Sequence, residues 1–321
     1  MKELMYLDRL EQIEEAKKIF ESQFSARLDL VKVHCPLFVK ADSGLQDTLS
    51  GTEKAVSFKG SDDEFEVVHS LAKWKRFALG KYEFPLYKGL YTDMKAIRKD
   101  EKIDDIHSMF VEQYDWEKVI SESDRKIDYL KDTVRSIYKA IRQTSIILKS
   151  KYKYLESDLP KTIAFVTTQE LEDMYPDKTS KEREYLITKK HKAVFIMGIG
   201  DKLKSGKKHD MRSPDYDDWK LDGDIFLYDK KYDRALEISS MGIRVDEKSL
   251  VEQLEKADCL DRKDLQYHQM ILKKELPYTI GGGIGSSRLL MYLLGKQHIA
   301  EVQVSSWPTG VEDQLKSIKI L

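Results

Sequence analysis

Cysteine, proline and surplus charge are all scarce in this chain of 321 residues. Its two cysteines, Cys35 and Cys259, lie far apart, which excludes a disulfide framework and a paired CxxC zinc site. A reducing cytoplasmic setting is therefore expected. Fifty-five Lys plus Arg face 56 Asp plus Glu, a formal net charge of −1. That balance excludes a globally basic nucleic-acid binder and leaves room only for a local basic patch. No apolar run approaches the ~18 residues a membrane helix needs. The start, Met1-Lys-Glu-Leu4, lacks the apolar stretch of a signal peptide. Internal repeats, low-complexity tracts and Pro/Ser/Gly linkers are missing as well. What remains is 41% apolar, too much for a disordered chain. The length suffices for one or two domains, and the absence of a linker favours a single one over 1–321.

Residues 4–24 predict a helix, with Leu7, Leu10, Ile13, Phe20 and Phe24 at three- and four-residue spacing. Residues 28–39 read as extended, broken by Pro36. A loop containing Asp42, Ser43, Gly44 and Gly51 follows, then a short strand at 65–69. A helix over 70–79 is capped by Ser70 and stopped by Gly80. Strands are predicted at 89–97 and 108–114, joined by a polar hairpin loop. A long helix spans 123–149. Strands at 163–166, 193–197, 224–228 and 235–239 follow, with a long surface loop over 198–222. Helices are expected at 248–257, 261–275 and 285–294, a Gly-rich turn just before the last, and a short strand at 301–305. Neighbouring hairpins point to an α+β fold: a largely antiparallel central sheet flanked by helices.

The strongest local signal is Thr279-Ile-Gly-Gly-Gly-Ile-Gly285-Ser-Ser-Arg288. Gly281, Gly282, Gly283 and Gly285 let backbone approach a ligand closely, and the helix that starts here favours anions. Arg288 stands one turn inside it, able to stack on a base or meet a phosphate. A flexible turn is the plainer alternative. Neither the dinucleotide GxGxxG fingerprint nor a GxxxxGK[ST] loop fits, because Ser286 and Lys208 occupy the deciding positions.

Other segments carry weaker signals. Arg98 ends one strand and His107 opens the approach to the next; taken alone, Arg98 reads first as a surface ion pair. Asp222 and Asp224 open a strand and Glu237 lies on the following one. If these strands pair, Asp224 and Glu237 can hold Mg²⁺. Asp215, Asp217 and Asp218 read as a solvated acidic face. Alternation puts Glu237, Ser239 and Met241 on one side of a strand, while Arg244 can clamp a carboxylate. Gln113 and Asp115 share a strand face, suited either to an ammonium and a carbonyl or to an edge strand. In the helix after His69, Leu71, Trp74 and Leu79 are expected inside, with Lys73 and Arg76 facing water. Lys202, Lys204, Lys207 and Lys208 are expected in a solvated loop.

Longer stretches are more specific. Gln46-Asp-Thr-Leu-Ser-Gly51, Val67-Val-His-Ser-Leu-Ala-Lys-Trp-Lys-Arg76, Gly89-Leu-Tyr-Thr-Asp-Met-Lys95 and residues 209–219, 237–245 and 279–289 together resemble the ammonia-dependent asparagine synthetases. That family is built on the catalytic core of class II aminoacyl-tRNA synthetases, closest to the aspartyl and asparaginyl types, and the resemblance covers nearly the whole chain. It implies a class II catalytic-core fold without a separate anticodon-binding domain. It also implies ATP-dependent synthesis of asparagine from aspartate and ammonia through β-aspartyl-AMP, with release of AMP and pyrophosphate. The first helix and the strand before Pro36 resemble motif 1, implying a homodimer. Arg98 matches the motif 2 arginine at the α-phosphate, and Arg288 the motif 3 arginine at the adenine and γ-phosphate. His107, Asp224, Glu237, Gly283 and Gly285 fall at the implied ATP site, with Asp224 and Glu237 on Mg²⁺. Asp47, Ser70, Lys75, Gln113, Asp115, Ser240 and Arg244 fall at the implied aspartate site. Arg98, Asp47 and Asp115 are the implied catalytic residues, the two aspartates as candidates for handling ammonium.

Glutamine-dependent synthetases use a nucleophilic Cys at the mature N-terminus. Residue 2 here is Lys and the first cysteine is Cys35, so free ammonia is the expected donor. The rivals are a free-standing aminoacyl-tRNA synthetase, a paralogue acting on another acceptor, and a nucleotide-binding regulator without catalysis. The charge balance weighs against the first. Survival of Arg98, Glu237, Arg244 and Arg288 weighs against the last.

Overall fold

The computed structural model describes residues 6–49, 53–156, 158–316, 318 and 320–321. Leu4, Ser50 and Gly51, which figure in the readings above, lie outside the described residues. The chain runs α1 (Tyr6–Leu28), β1 (Leu30–Lys32), β2 (Phe38–Lys40), β3 (Ser57–Gly60), β4 (Asp63–Val67), α2 (Ala72–Lys81), β5 (Gly89–Ile97) and β6 (Phe110–Val119). It continues α3 (Ile127–Lys151), β7 (Ala164–Thr167), α4 (Thr168–Met174), α5 (Ser180–His191), β8 (Ala193–Met197), β9 (Asp217–Asp229) and β10 (Arg234–Arg244). The last part holds α6 (Glu247–Lys256), α7 (Gln266–Leu272), β11 (Thr279–Gly285), α8 (Ser286–Leu294) and α9 (Thr309–Leu315).

Eight strands form one sheet in the order β1-β5-β6-β11-β10-β9-β8-β7. Only the outer pairs β1–β5 and β7–β8 are parallel. A smaller sheet, β2-β4-β3, stands apart. The expected α+β class with a largely antiparallel sheet is what the chain adopts.

Period-2 alternation gives the large sheet two different faces. On β6, Tyr114 and Trp116 enter the main core, whereas Gln113, Asp115 and Glu117 point the other way. The core face is covered by α1, α3 and α8. From α1 come Ile13, Phe20 and Phe24, and from α3 Leu130, Val134, Ile137 and Ile141, all buried at the expected helical spacing. Phe20 stacks on Phe24, centroids 5.4 Å apart, and Phe24 meets Trp116 edge-on at 6.2 Å. The opposite face carries α2 and a deep polar cavity.

Several expectations are corrected. The glycine run is not a turn but β11, paired along its length with β6 and β10. Its backbone polar groups are satisfied on both sides, which overrides the weak strand propensity of glycine. Extended residues 28–39 are two short strands in different sheets. The loop expected at 198–222 ends early, because β9 begins at Asp217. The strand expected at 301–305 does not form; a single helical turn at Ile299–Glu301 leads into irregular chain. Lys73 and Arg76 do not face water, being 2% and 1% exposed. Asp215, Asp217 and Asp218 are buried, not a solvated face. On β10 a register shift between Glu237 and Ser239 inserts one residue, so Met241 joins the core while Ser240 reaches the cavity.

Candidate active site

The cavity, about 360 Å³, opens over the glycines of β11. Its floor exists because those positions lack side chains. A Cβ on Gly283 would lie 2.4 Å from Gln113 Oε1 and 2.8 Å from Asp115 Oδ1. One on Gly281 would lie 2.0 Å from Glu117 Oε2. The glycines thus make room for the polar row of β6.

Two buried pairs stand on one side. Lys75, projected from α2, sets its Nζ 3.0 Å from Asp115 Oδ1 and donates to the Gly282 carbonyl at 2.8 Å. The second oxygen of Asp115 accepts from the Leu71 amide at 3.1 Å. Burial pushes the Lys75 ammonium below its ordinary value, against the pull of Asp115, and the Arg244 charge adds to the lowering. Asp47 accepts from Ser70 Oγ at 2.6 Å and from the Leu49 amide at 2.8 Å. His69 Nδ1 lies 3.0 Å from the Asp47 carbonyl, so this loop is tied to the start of α2.

Arginines line the same cavity. Half-buried Arg98, just past β5, donates from Nε to the His69 carbonyl at 3.2 Å, leaving its terminal nitrogens toward the cavity it lines. Arg288, in the first turn of α8, bridges the Ile106 and Glu237 carbonyls at 3.3 and 3.2 Å. Its Nη1 is 3.8 Å from Glu237 Oε1. His107 is held by Asp104, with Nδ1 2.8 Å from Oδ1.

Of the sequence-predicted residues, Asp47, Ser70, Lys75, Arg98, His107, Gln113 and Asp115 line this one cavity. So do Glu237, Ser240, Arg244, Gly283, Gly285 and Arg288. Asp224 does not. Its place on the wall is taken by Arg212, whose guanidinium pairs with Asp222 and Asp224 and donates to Ser240 Oγ. Burial, opposed by Arg212 and reinforced by the Glu237 charge, raises the Asp224 carboxyl to about 6. Arg244 is 1% exposed and already satisfied. It meets Glu117 through Nε at 2.9 Å and Nη2 at 2.7 Å, and Asp217 through Nη1. Thr279 Oγ1 donates to the same Glu117 at 2.7 Å. The Arg244 expected to clamp a substrate carboxylate is thus already held by Glu117, which sequence reasoning missed, and by Asp217, which it read as facing solvent.

Sequence reasoning also missed Arg212, Tyr216 and Asp217 as cavity residues. The loop that carries them is anchored by Asp215, which binds Lys73 Nζ at 2.9 Å and His268 Nε2 at 3.0 Å. Burial alone would raise the Asp215 carboxyl, yet Lys73 and His268 hold it well below the carboxylate range. The dense alternation of charge in 209–219 was the available signal. Among the described residues no cluster of three or more His, Cys, Asp or Glu side chains is grouped as a metal site.

The arrangement is a polar cavity lined by buried carboxylates, a buried lysine and several arginines, on an antiparallel sheet backed by helices. This is the fold of class II aminoacyl-tRNA synthetase cores. Asparaginyl-tRNA synthetase from Pyrococcus horikoshii, solved with asparaginyl-adenylate, superposes with a TM-score of 0.63. It is 14% identical, over 91% of this chain and 68% of that one. Aspartyl-tRNA synthetase from Entamoeba histolytica gives 0.60 at 16% identity, over 92% of this chain and 57% of that one.

The chain belongs to the aspartate–ammonia ligase family, whose model matches residues 7–319. The aspartate–ammonia ligase of Clostridium tetani is 55% identical over 299 residues, 92% of this chain and 88% of that protein. That of Fusobacterium nucleatum is 54% identical over 309 residues, 96% and 94% of the two chains. That of Ruminiclostridium cellulolyticum is 56% identical over 298 residues.

Proposed function

We propose that this chain makes L-asparagine from L-aspartate, ammonia and ATP, releasing AMP and pyrophosphate through a β-aspartyl-AMP intermediate. The observation that carries this reading is the gathering of Asp47–Ser70, Lys75–Asp115, Arg98 and Arg288 around one cavity. Such a cavity offers an ammonium-and-carboxylate site beside a phosphate site.

Aspartate takes the end lined by Lys75, Gln113 and Asp115, with Asp47, Ser70, Ser240 and Arg244 around it. Its β-carboxylate then attacks the α-phosphorus of ATP, and pyrophosphate leaves. Arg98 is the cation placed to meet the charge that builds on the α-phosphate, an electrostatic role that needs no proton transfer. Arg288 and the backbone at Gly283 and Gly285 hold the nucleotide, with His107 at its edge. Mg²⁺ suits two carboxylates on neighbouring strands, Asp224 on β9 and Glu237 on β10, which leave the rest of its shell to phosphates and water, although Arg212 is the cation beside Asp224 in the free protein. Asp224 and Glu237 would hold the ion, and it supplies charge neutralisation on the phosphates. In the second half-reaction NH₃ attacks the mixed anhydride and AMP leaves. Asp47 and Asp115 are the carboxylates positioned to hold ammonium and take its proton. An alanine variant at either position that forms the adenylate normally and leaves the ammonia step unaltered dismisses that candidate.

Residues 1–321 form one catalytic unit in this reading, working in the cytoplasm as a homodimer. Exposed Leu7, Leu10, Val31, Leu37 and Phe38 on α1, β1, β2 and the β1–β2 connection support the dimer. Two unpaired cysteines support the reducing compartment. Among the described residues no helix is long and apolar enough to cross a membrane. The deciding assay mixes protein, Mg²⁺, ATP and aspartate, with and without ammonium and with and without tRNA. Ammonium-dependent asparagine and AMP are expected; aminoacylated tRNA instead would overturn the reading.

A further inference from the structure

The loop between His209 and Tyr216 inserts one arginine among the acidic residues of β9. Arg212 Nη2 lies 2.7 Å from Asp224 Oδ1, and its Nε lies 3.1 Å from Asp222 Oδ2. Its remaining nitrogen, Nη1, donates to Ser240 Oγ. All three nitrogens of the guanidinium are therefore engaged, and the side chain is 9% exposed. Asp222 is fully buried and Asp224 nearly so. The cavity wall here is Arg212, with Asp224 behind it.

Mg²⁺ takes oxygen ligands at about 2.0–2.1 Å and keeps its own shell of waters. An ion on Asp224 would stand beside the guanidinium that already holds Oδ1 at 2.7 Å, and the two positive charges repel. Two cations compete for one carboxylate, and one of them is part of the chain. We propose that Arg212 is a resident counter-cation, filling the Asp224 metal position in the free protein and leaving it when Mg²⁺ arrives. The proposal rests on the reading of Asp224 as a metal ligand. It goes further by assigning Arg212 a role: it keeps the acidic pair neutralised without metal and suppresses metal binding ahead of substrates.

The contact with Ser240 adds a coupling. Ser240 lines the cavity, and with aspartate bound beside it as proposed above, aspartate and the metal each remove a partner from the same guanidinium. Whichever binds first meets the displacement, and the second does not. The two ligands then favour each other's binding, and by reciprocity to the same extent.

The test is a titration of the full chain with Mn²⁺, read by the electron paramagnetic resonance of free Mn²⁺, without nucleotide. Arg212→Met and Arg212→Gln are expected to bind Mn²⁺ at least tenfold more tightly than wild type. Arg212→Lys, which keeps the charge, is expected within threefold of wild type. Adding Asp224→Asn to Arg212→Gln is expected to abolish the gain. An Arg212→Gln protein that melts like wild type and binds Mn²⁺ no more tightly overturns the proposal. If the variants do not fold, wild type decides alone: saturating aspartate is expected to tighten nucleotide-free Mn²⁺ binding at least threefold, and no change overturns the coupling. A wild type that binds no Mn²⁺ even with ATP contradicts the metal assignment itself. Binding with ATP that is indifferent to Arg212 contradicts only the counter-cation.

Discussion

Replacing Gly283 by alanine separates what the glycine strand does for the fold from what it does for the site. The backbone at Gly283 has no left-handed angle, so alanine meets no conformational strain there. The new Cβ would stand 2.4 Å from Gln113 Oε1 and 2.8 Å from Asp115 Oδ1. Relief requires the Gln113 amide to retreat by about 1 Å and Asp115 to shift against Lys75. The displaced atoms are the ends of side chains, so the stability cost falls at the low end of overpacking, about 1 kcal/mol. For a chain of 321 residues that corresponds to roughly 1.5 °C in melting temperature. The same displacement within a reacting site costs on the order of 10²-fold in rate. Gly223→Ala provides the contrast: its Cβ would lie 2.2 Å from the Ile196 carbonyl oxygen, which is backbone of the neighbouring strand. The sheet has to part to accept it, and no stable protein is expected. Melting curves and aspartate-dependent ATP–pyrophosphate exchange read the two effects. A Gly283→Ala protein within threefold of wild-type exchange, or Gly283→Ala and Gly223→Ala melting alike, refutes the reasoning.

The remaining predictions use other parts of the site. Lys75→Met strands the Asp115 carboxylate, and the aspartate KM is expected to rise at least tenfold while calorimetric ATP affinity stays within threefold; equal losses in both contradict the division of the cavity. Glu117→Gln removes the carboxylate that holds buried Arg244 through two contacts, and urea unfolding is expected to show a loss of about 3–5 kcal/mol; a loss below about 1 kcal/mol contradicts the buried pair. Asp224, raised to about 6, keeps its proton in the folded state at pH values where the unfolded chain, near 3.8, has lost it. Stability from this group is therefore complete below pH 4 and declines as pH rises toward 6. Cation binding runs the other way, since the ion must displace the proton: Mn²⁺·ATP affinity is expected to fall by up to tenfold per pH unit below about pH 6, and a flat profile from pH 5 to 7 contradicts it.

Sequence carries the frame of this fold more clearly than the depth of its site. Helix α3 is legible because Leu130, Val134, Ile137 and Ile141 repeat with the helical period, and that period is a local property. Strands β5 and β8 are legible for a similar reason. The glycine run in β11 misleads, because its pairing is supplied by two strands far away in the chain. Lys73, Arg76 and Asp215 to Asp218 mislead because charge reads as solvent-facing unless its partner is known. Lys73 and Asp215 are 142 residues apart and neutralise each other only after folding. The β10 register shift escapes detection for the same reason: strict alternation through Glu237, Ser239 and Met241 is the simplest pattern, and only pairing with β9 reveals the extra residue. Of the residues named for the site from the sequence, all but Asp224 line the cavity. Arg212 was invisible because its role depends on acids from a separate strand.

The central claim is that the aspartate β-carboxylate is activated by adenylation. It is tested most directly with aspartate labelled by ¹⁸O in that carboxylate, incubated with the protein, Mg²⁺, ATP and ammonium. Attack on the α-phosphorus leaves one labelled oxygen behind when ammonia displaces the nucleotide, so one ¹⁸O is expected in the phosphate of each AMP formed with asparagine. Asparagine formed with unlabelled AMP, or with ADP and labelled inorganic phosphate, would contradict it.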